Sequence, residues 1–241
     1  MTTLTAADYA DTGQWRLIVR IYPDGMTAHL ENTLHSDVEP QELFTSKWDV
    51  DSGALLQHIE NSVYDHPRML DDFSARITVY DPRTAFIPTE LLLDTEGVED
   101  HYYTMLYGGE PEDVMVDTDR DVTATSCLVA GLKGFLNRTF PGARVCNHLM
   151  EEVRHERKKG DGKRLKITLR EKDADFVLLD GEKLLSATTR NYFEGGDIAY
   201  YSFNLFSVYG VNPKEVSVES CGVEMPDDAK EAFGKFTRME D

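Results

Sequence analysis

Four groups of residues in this 241-residue chain have types and spacings that could do chemistry. Asp117-Thr118-Asp119 with Asp121 follows an apolar run from Val114 to Val116, and closely spaced carboxylates at a strand end have the donor chemistry for Mg²⁺ or Ca²⁺. Charge runs more often face water, so the segment is read as an acidic surface loop and no metal ligand is assigned. His148, Glu152 and His155 fall at i, i+4 and i+7 on one helical face, but no fourth ligand or catalytic motif supports a metal, and they too are read as solvated. Arg154, Arg157, Lys158, Lys159, Lys163 and Arg164 crowd around Gly160-Asp161-Gly162. A phosphate or RNA patch is the functional reading of that cluster, and a solvated inter-lobe linker is the reading adopted. Cys127, Cys146 and Cys221 are odd in number, lack C-x-x-C spacing and lie in apolar segments, so they are expected to be buried reduced thiols.

The balance of charge narrows the partners. A net charge of -19 opposes non-specific binding to nucleic acid or anionic membrane, because every phosphate contact needs a cation. With 41% hydrophobic and 29% charged residues the chain can bury a full core. No apolar run reaches the ~20 residues of a membrane span, and Met1 to Gln14 has no apolar leader region, so a soluble cytoplasmic protein is expected. Asn137-Arg138-Thr139 matches a glycosylation acceptor and, with no secretory signal, is read as chance.

These residues must be positioned by elements, and the elements occur in the same order twice. Trp15 to Ile21, Met26 to Thr33 and Leu43 to Trp48 read as strands, Ser52 to Tyr64 as a helix and Ala75 to Tyr80 as a strand. In the second half Arg164 to Arg170, Asp175 to Leu179 and Lys183 to Tyr192 read as strands, Asp197 to Tyr209 as a helix and Val216 to Ser220 as a strand. Asp24-Gly25 and Asp180-Gly181 supply φ > 0 positions for tight hairpins. Asp51-Ser52 offers an N-cap to a helix whose Leu55, Ile59 and Val63 share a face. Between the repeats, Phe86-Ile87-Pro88 leads into a helical stretch to about Leu106, Val114 to Val116 reads as a strand, Cys127 to Phe140 as a helix, Arg144 to Asn147 as a strand and Leu149 to Lys159 as a helix. Tyr200, Tyr201, Phe203, Phe206 and Tyr209 wrap nearly every side of the second repeat's helix, so some ring must meet more than its own sheet. The expected fold is α/β with mixed sheets: a flexible N-terminal tail over 1–14, a first lobe over 15–125, a connecting strand and helices over 126–160, and a second lobe over 161–241, with a cleft between the lobes.

The duplicated β-β-β-α-β plan resembles the actin-like, ribonuclease-H-like ATPase fold, which includes bacterial pilus-assembly and cell-division proteins. More closely, the chain is similar to an uncharacterised bacterial domain family with that fold. The resemblance rests on Ile77-Thr-Val-Tyr-Asp-Pro-Arg-Thr-Ala-Phe-Ile-Pro-Thr-Glu-Leu-Leu92, on Phe176-Val-Leu-Leu-Asp-Gly-Glu-Lys-Leu-Leu185, on Asp197-Ile-Ala-Tyr-Tyr201 and on Tyr209-Gly-Val-Asn-Pro-Lys-Glu-Val216. It implies a fold and a duplication, and no activity.

An actin-like ATPase holds the nucleotide phosphates between one hairpin turn from each lobe, and the resemblance makes those turns testable. The first, Tyr22 to Met26, offers Asp24 and Gly25, but Pro23 has no N–H and no Ser, Thr or Lys follows closely. The second, Arg170 to Ala174, has no Gly, and its Glu171 and Asp173 repel a triphosphate in the absence of a metal. Ser220-Cys221-Gly222 retains a remnant of the Gly-rich turn that lines the adenine side. The candidate cofactor-binding residues are therefore Asp24, Gly25, Asp173 and Gly222, with no catalytic residue assigned. A two-metal nuclease of the same fold needs several carboxylates on neighbouring strands, and only Asp81 is in place. The expected protein is a non-catalytic scaffold with a degenerate cleft and a protein partner; the alternative is an actin-like ATPase binding ATP and Mg²⁺.

Overall fold

Period-two apolar runs build the strands of this chain, and a computed structural model describes residues 12–35, 37–49, 53–92, 97–109, 113–236 and 238–240. In chain order they form β1 (Trp15–Tyr22), β2 (Gly25–Asn32), β3 (Gln41–Lys47), α1 (Leu55–Tyr64), β4 (Ser74–Val79), β5 (Ala85–Pro88) and α2 (Val98–Tyr107). Next come β6 (Val114–Asp119), β7 (Val122–Cys127), α3 (Leu132–Thr139), β8 (Arg144–Asn147) and α4 (His148–Arg157). The chain ends with β9 (Lys163–Leu169), β10 (Asp173–Asp180), β11 (Lys183–Asn191), α5 (Gly195–Val208), β12 (Val216–Gly222), α6 (Asp227–Phe236) and β13 (Arg238–Glu240).

Two five-stranded sheets follow one plan. In β3-β2-β1-β4-β8 the first three strands are an antiparallel meander, and β4 returns parallel to β1 after α1. In β11-β10-β9-β12-β13 the meander is again antiparallel and β12 returns parallel to β9 after α5. A third sheet has the order β5-β7-β6. Contacts divide the described residues into two compact units: one drawn from 1–81, 108–116 and 126–148, the other from 82–107, 117–125 and 149–241. The segments 82–107 and 117–125 thus lie in the second unit.

In the first unit, Leu17, Val19 and Ile21 of β1 and Ile77 and Val79 of β4 meet Ile59 and Val63 of α1 and Leu132, Phe135 and Leu136 of α3. The face of α1 read from its spacing is the buried one. The Asp51-Ser52 N-cap lies outside the described residues, as does the tail over 1–11, and α1 begins at Leu55 after Ala54. In the second unit the sheet is covered on both faces. Leu165, Ile167, Phe176 and Val218 face Ile198 and Phe206 of α5 and Ala229 and Phe233 of α6. Val177 and Leu179 instead meet Leu149, Met150 and Val153 of α4 and Val122 and Ala124 of β7.

Two local expectations are corrected. Val122 to Cys127 is a strand, so the helix expected from Cys127 begins only at Leu132; the first five residues of the strand are buried and its small and β-branched side chains pack on both faces. The Asp24-Gly25 hairpin has a Pro23-Asp24 loop in which Gly25 opens β2 and pairs with Tyr22, so the positive φ expected there is absent, whereas Gly181 has φ +60° as expected. As expected, one ring of α5 meets more than its own sheet: Phe203 packs 5.8 Å from Phe233 of α6, while Tyr200 stays exposed. Ile59 is fully buried, and Ile59→Ala should lower unfolding free energy by about 2–5 kcal/mol through lost burial and the cavity left behind. Denaturant titration checks this, and a change within about 0.5 kcal/mol, typical of a surface site, would contradict the packing described.

Candidate functional site

The first hairpin turn is held by a tryptophan. Trp48 donates its indole N–H to the Pro23 carbonyl at 2.8 Å and its backbone N–H to the Asp24 carbonyl at 3.0 Å. Gly25 is required by a close approach, because a Cβ there would stand 2.7 Å from the Ser46 carbonyl oxygen. Asp24 is exposed beside it.

The second turn is closed by its own charges. Arg170 donates from Nε to Asp173 Oδ1 at 2.5 Å and in bidentate fashion to Asp175 at 2.7 and 2.8 Å. Asp175, which is buried, also accepts from the Thr189 hydroxyl at 2.6 Å. Tyr192 donates its hydroxyl to the Arg170 carbonyl. Gly222 sits at the same end of β9: it pairs with Leu169, has φ +90°, and leaves no room for a Cβ, which would fall 2.1 Å from the Leu169 carbonyl oxygen. Asp173 and Gly222 therefore flank one strand end in the second unit, while Asp24 and Gly25 belong to the first.

The basic cluster and the acidic loop read separately from sequence are partners, and both readings as solvated segments are corrected. Arg154 forks onto Asp117 at 2.5 and 2.9 Å and reaches the Thr118 carbonyl at 2.9 Å. Arg157, only 4% exposed, donates to Asp119 and Asp121 at 2.7 Å each. These bonds brace the β6–β7 turn, where Arg120 is the one non-glycine described residue with positive φ, at 53°. Arg164 caps the end of α4 by donating to the carbonyls of Glu156, Gly160 and Asp161. Lys159 and Lys166 both donate to Glu219. A burial this complete needs neutralisation, and the loop supplies it. Among the described residues no group of three or more His, Cys, Asp or Glu is placed to hold a metal.

Sequence reasoning missed a buried polar group in the first unit. At the carboxyl ends of β4 and β8, His148 is 8% exposed, packs its ring 4.2 Å from Tyr80, and accepts from the Asp81 backbone N–H at 3.4 Å through Nδ1. Asp81, also buried, accepts from the Cys127 N–H at 3.1 Å, and buried Asn147 donates to Ser126 at 3.2 Å. His148 is thus not on a solvated face. The signal was Asp81 ending an apolar strand. Of the cysteines, Cys146 is buried as expected, Cys127 is half-buried and Cys221 is exposed.

A meander whose fourth strand returns parallel to the first, present in both five-stranded sheets, defines a protein of actin-like ATPase fold. The chain is similar over 96% of its length to a Bacteroides thetaiotaomicron protein with actin-like ATPase fold and unknown function, of which 92% is covered, at 18% identity and a TM-score of 0.81. It also aligns with the cytoplasmic domain of EpsL, an inner membrane component of the type II secretion system of Vibrio cholerae (10% identity, 94% and 88% covered, TM-score 0.46). A chain of the PilM–PilN type IV pilus biogenesis complex aligns at 13% identity over 93% and 87%, with a TM-score of 0.48. No curated protein matches the sequence. The chain belongs to the family described as protein of unknown function (DUF3822), which it matches over residues 5–238. No helix among the described residues is long and apolar enough to cross a membrane.

Two measurements test the charge network. Arg157→Ala strands two carboxylates at a braced turn and should lower stability by about 2–3 kcal/mol, read by denaturant titration. Hydrogen bonds from Lys159 and Lys166 hold the Glu219 carboxyl down at about 2 against an ordinary 4.5. A depressed carboxyl contributes stability that is present above pH 4.5 and lost as the pH falls toward 2. Glu219→Gln should therefore flatten the acid-side loss of melting temperature in that window. Burial pushes Glu152 the opposite way, above its ordinary 4.5, so its contribution favours folding at low pH and is lost as the pH rises through the raised value.

Proposed function

We propose that this protein is a non-catalytic actin-like scaffold whose nucleotide site is degenerate and whose surface binds another protein. One observation carries the reading: Trp48 holds two carbonyls of the first hairpin turn, and Arg170 at the second is occupied by Asp173 and Asp175. A triphosphate leaves water only for charge-assisted donors that replace its hydration, and here it would have to displace Asp173 and the buried Asp175 from Arg170 first. Gly25 and Gly222 are each accounted for by backbone approach, to Ser46 and Leu169.

The competing reading, an actin-like ATP-binding protein or ATPase, draws on Asp81 and His148, because ligands of α/β sheets lie beyond the carboxyl ends of strands. A thermal-shift titration with Mg-ATP separates the two, since a ligand of the native state raises the melting temperature by mass action. No shift is expected. A saturable rise that Asp24→Ala abolishes would overturn the scaffold reading and establish nucleotide binding.

A further inference from the structure

We propose that the face of the first unit's five-stranded sheet turned away from α1 and α3 binds an acidic segment of a partner protein through Arg16, Arg20 and Arg144. A partner of this kind deepens the scaffold reading and rests on it, whereas the face itself is independent of nucleotide. Alternation along the strands separates the two faces of the sheet. Leu17, Val19 and Ile21 of β1, Ile77 and Val79 of β4 and Val145 of β8 pack into the core with α1 and α3. Arg16, Ile18 and Arg20, Arg76 and Thr78, and Arg144 and Cys146 therefore stand on the other face. The register makes them one surface: Ile18 is opposite Arg76, Arg20 is opposite Thr78, and Arg76 is in turn opposite Arg144. The short Ile18 and Thr78 are buried while Arg16, Arg20 and Arg144 are exposed, the arrangement that long arginine stems beside short neighbours produce.

What fits this face follows from the charges on it. β1, β4 and β8 hold four arginines and no Asp or Glu, in a chain where acids outnumber Lys and Arg by 44 to 25. Among the described residues none of Arg16, Arg20 and Arg144 pairs with a carboxylate, while Arg76 is half-buried and makes contacts of its own. The carboxylate opposite Arg16 in register, that of Glu31, is bonded to His29 at 3.3 Å, and Glu42 on β3 accepts from the Thr45 hydroxyl at 2.7 Å. Three exposed guanidinium forks are thus left to a ligand, and each matches a carboxylate. At ordinary strand spacing Arg16 and Arg20 lie ~13 Å apart along β1, and Arg144 lies two strands away, ~10 Å across. Four residues of extended chain cover the first distance. A segment laid along β1 with carboxylates at alternate positions meets Arg16 and Arg20 and leaves another carboxylate within a long side chain's reach of Arg144. Nucleic acid fits less well, because its continuous charge runs beyond the three arginines onto a surface where acids predominate.

The test uses the full chain and a fluorescein-labelled peptide alternating glutamate and serine, read by anisotropy. Saturable binding is expected, weakening as salt is raised, and a peptide with glutamine for glutamate should bind at least about tenfold more weakly. Arg16→Glu and Arg144→Glu, at exposed positions on different strands, should each weaken binding by at least about fivefold with the melting temperature held. Arg16→Gln and Arg144→Gln remove the charge without reversing it and should give a smaller loss in the same direction, which keeps the test open where a reversal unsettles the sheet. Arg190→Glu, at an exposed arginine of the second unit, should leave binding within about twofold. Absence of saturable binding, equal binding of the glutamine peptide, or the same loss from Arg190→Glu as from Arg16→Glu would overturn the proposal. So would an oligothymidylate of equal length that binds as tightly, which would assign the face to nucleic acid. A saturable Mg-ATP shift alongside peptide binding would overturn the scaffold reading and leave the arginine face standing; no peptide binding and no Mg-ATP shift would do the reverse.

Discussion

A guanidinium out of water must be neutralised, and in the second unit that demand organises what surrounds it. Arg157 is nearly inaccessible at the last turn of α4, and Arg154 lies one turn earlier on the same side. Together they hold Asp117, Asp119 and Asp121, and so fix the β6–β7 turn on the helix. With that turn fixed, Val122 and Ala124 of β7 reach Leu149, Met150 and Val153 of α4, and the same helix face closes over Val177 and Leu179. One face of the second sheet is therefore covered through charge pairing at the rim and apolar contact in the middle. The other face relies on α5 and α6 alone.

The same demand ties the second hairpin turn together, where Arg170 answers Asp173 and the buried Asp175, which also takes the Thr189 hydroxyl. In the first turn the constraint is steric as well, because β3 passes so close that only glycine fits opposite Ser46.

The surfaces that remain open in the second unit are sheet edges and the exposed apolar residues next to them. There β11 is the outermost strand of its sheet, with Lys183 at one end and Arg190 near the other, and a half-exposed Leu106 and Tyr209 line the groove beside it.

Local patterns in the sequence were enough to establish the two β-β-β-α-β runs, the buried face of α1 and the strand ends on which Asp24, Gly25, Asp173 and Gly222 lie, because alternation and helical spacing are properties of neighbours along the chain. β7 escaped because its short run of small and β-branched residues, buried on both faces, contains no long apolar stretch. The Ala229 and Phe233 face of α6 was legible in principle as an i, i+4 pair, yet its purpose, covering Phe203, depends on where α5 lies. Whether the acidic loop faced water, a metal or the arginines was a question no local pattern could answer. Asp117 and Arg154 are 37 residues apart, and only the return of the chain through α3 and β8 brings a carboxylate and a guanidinium of matching geometry within 2.5 Å. Tertiary structure decided it, because the energy of a charge depends on what has displaced the water around it.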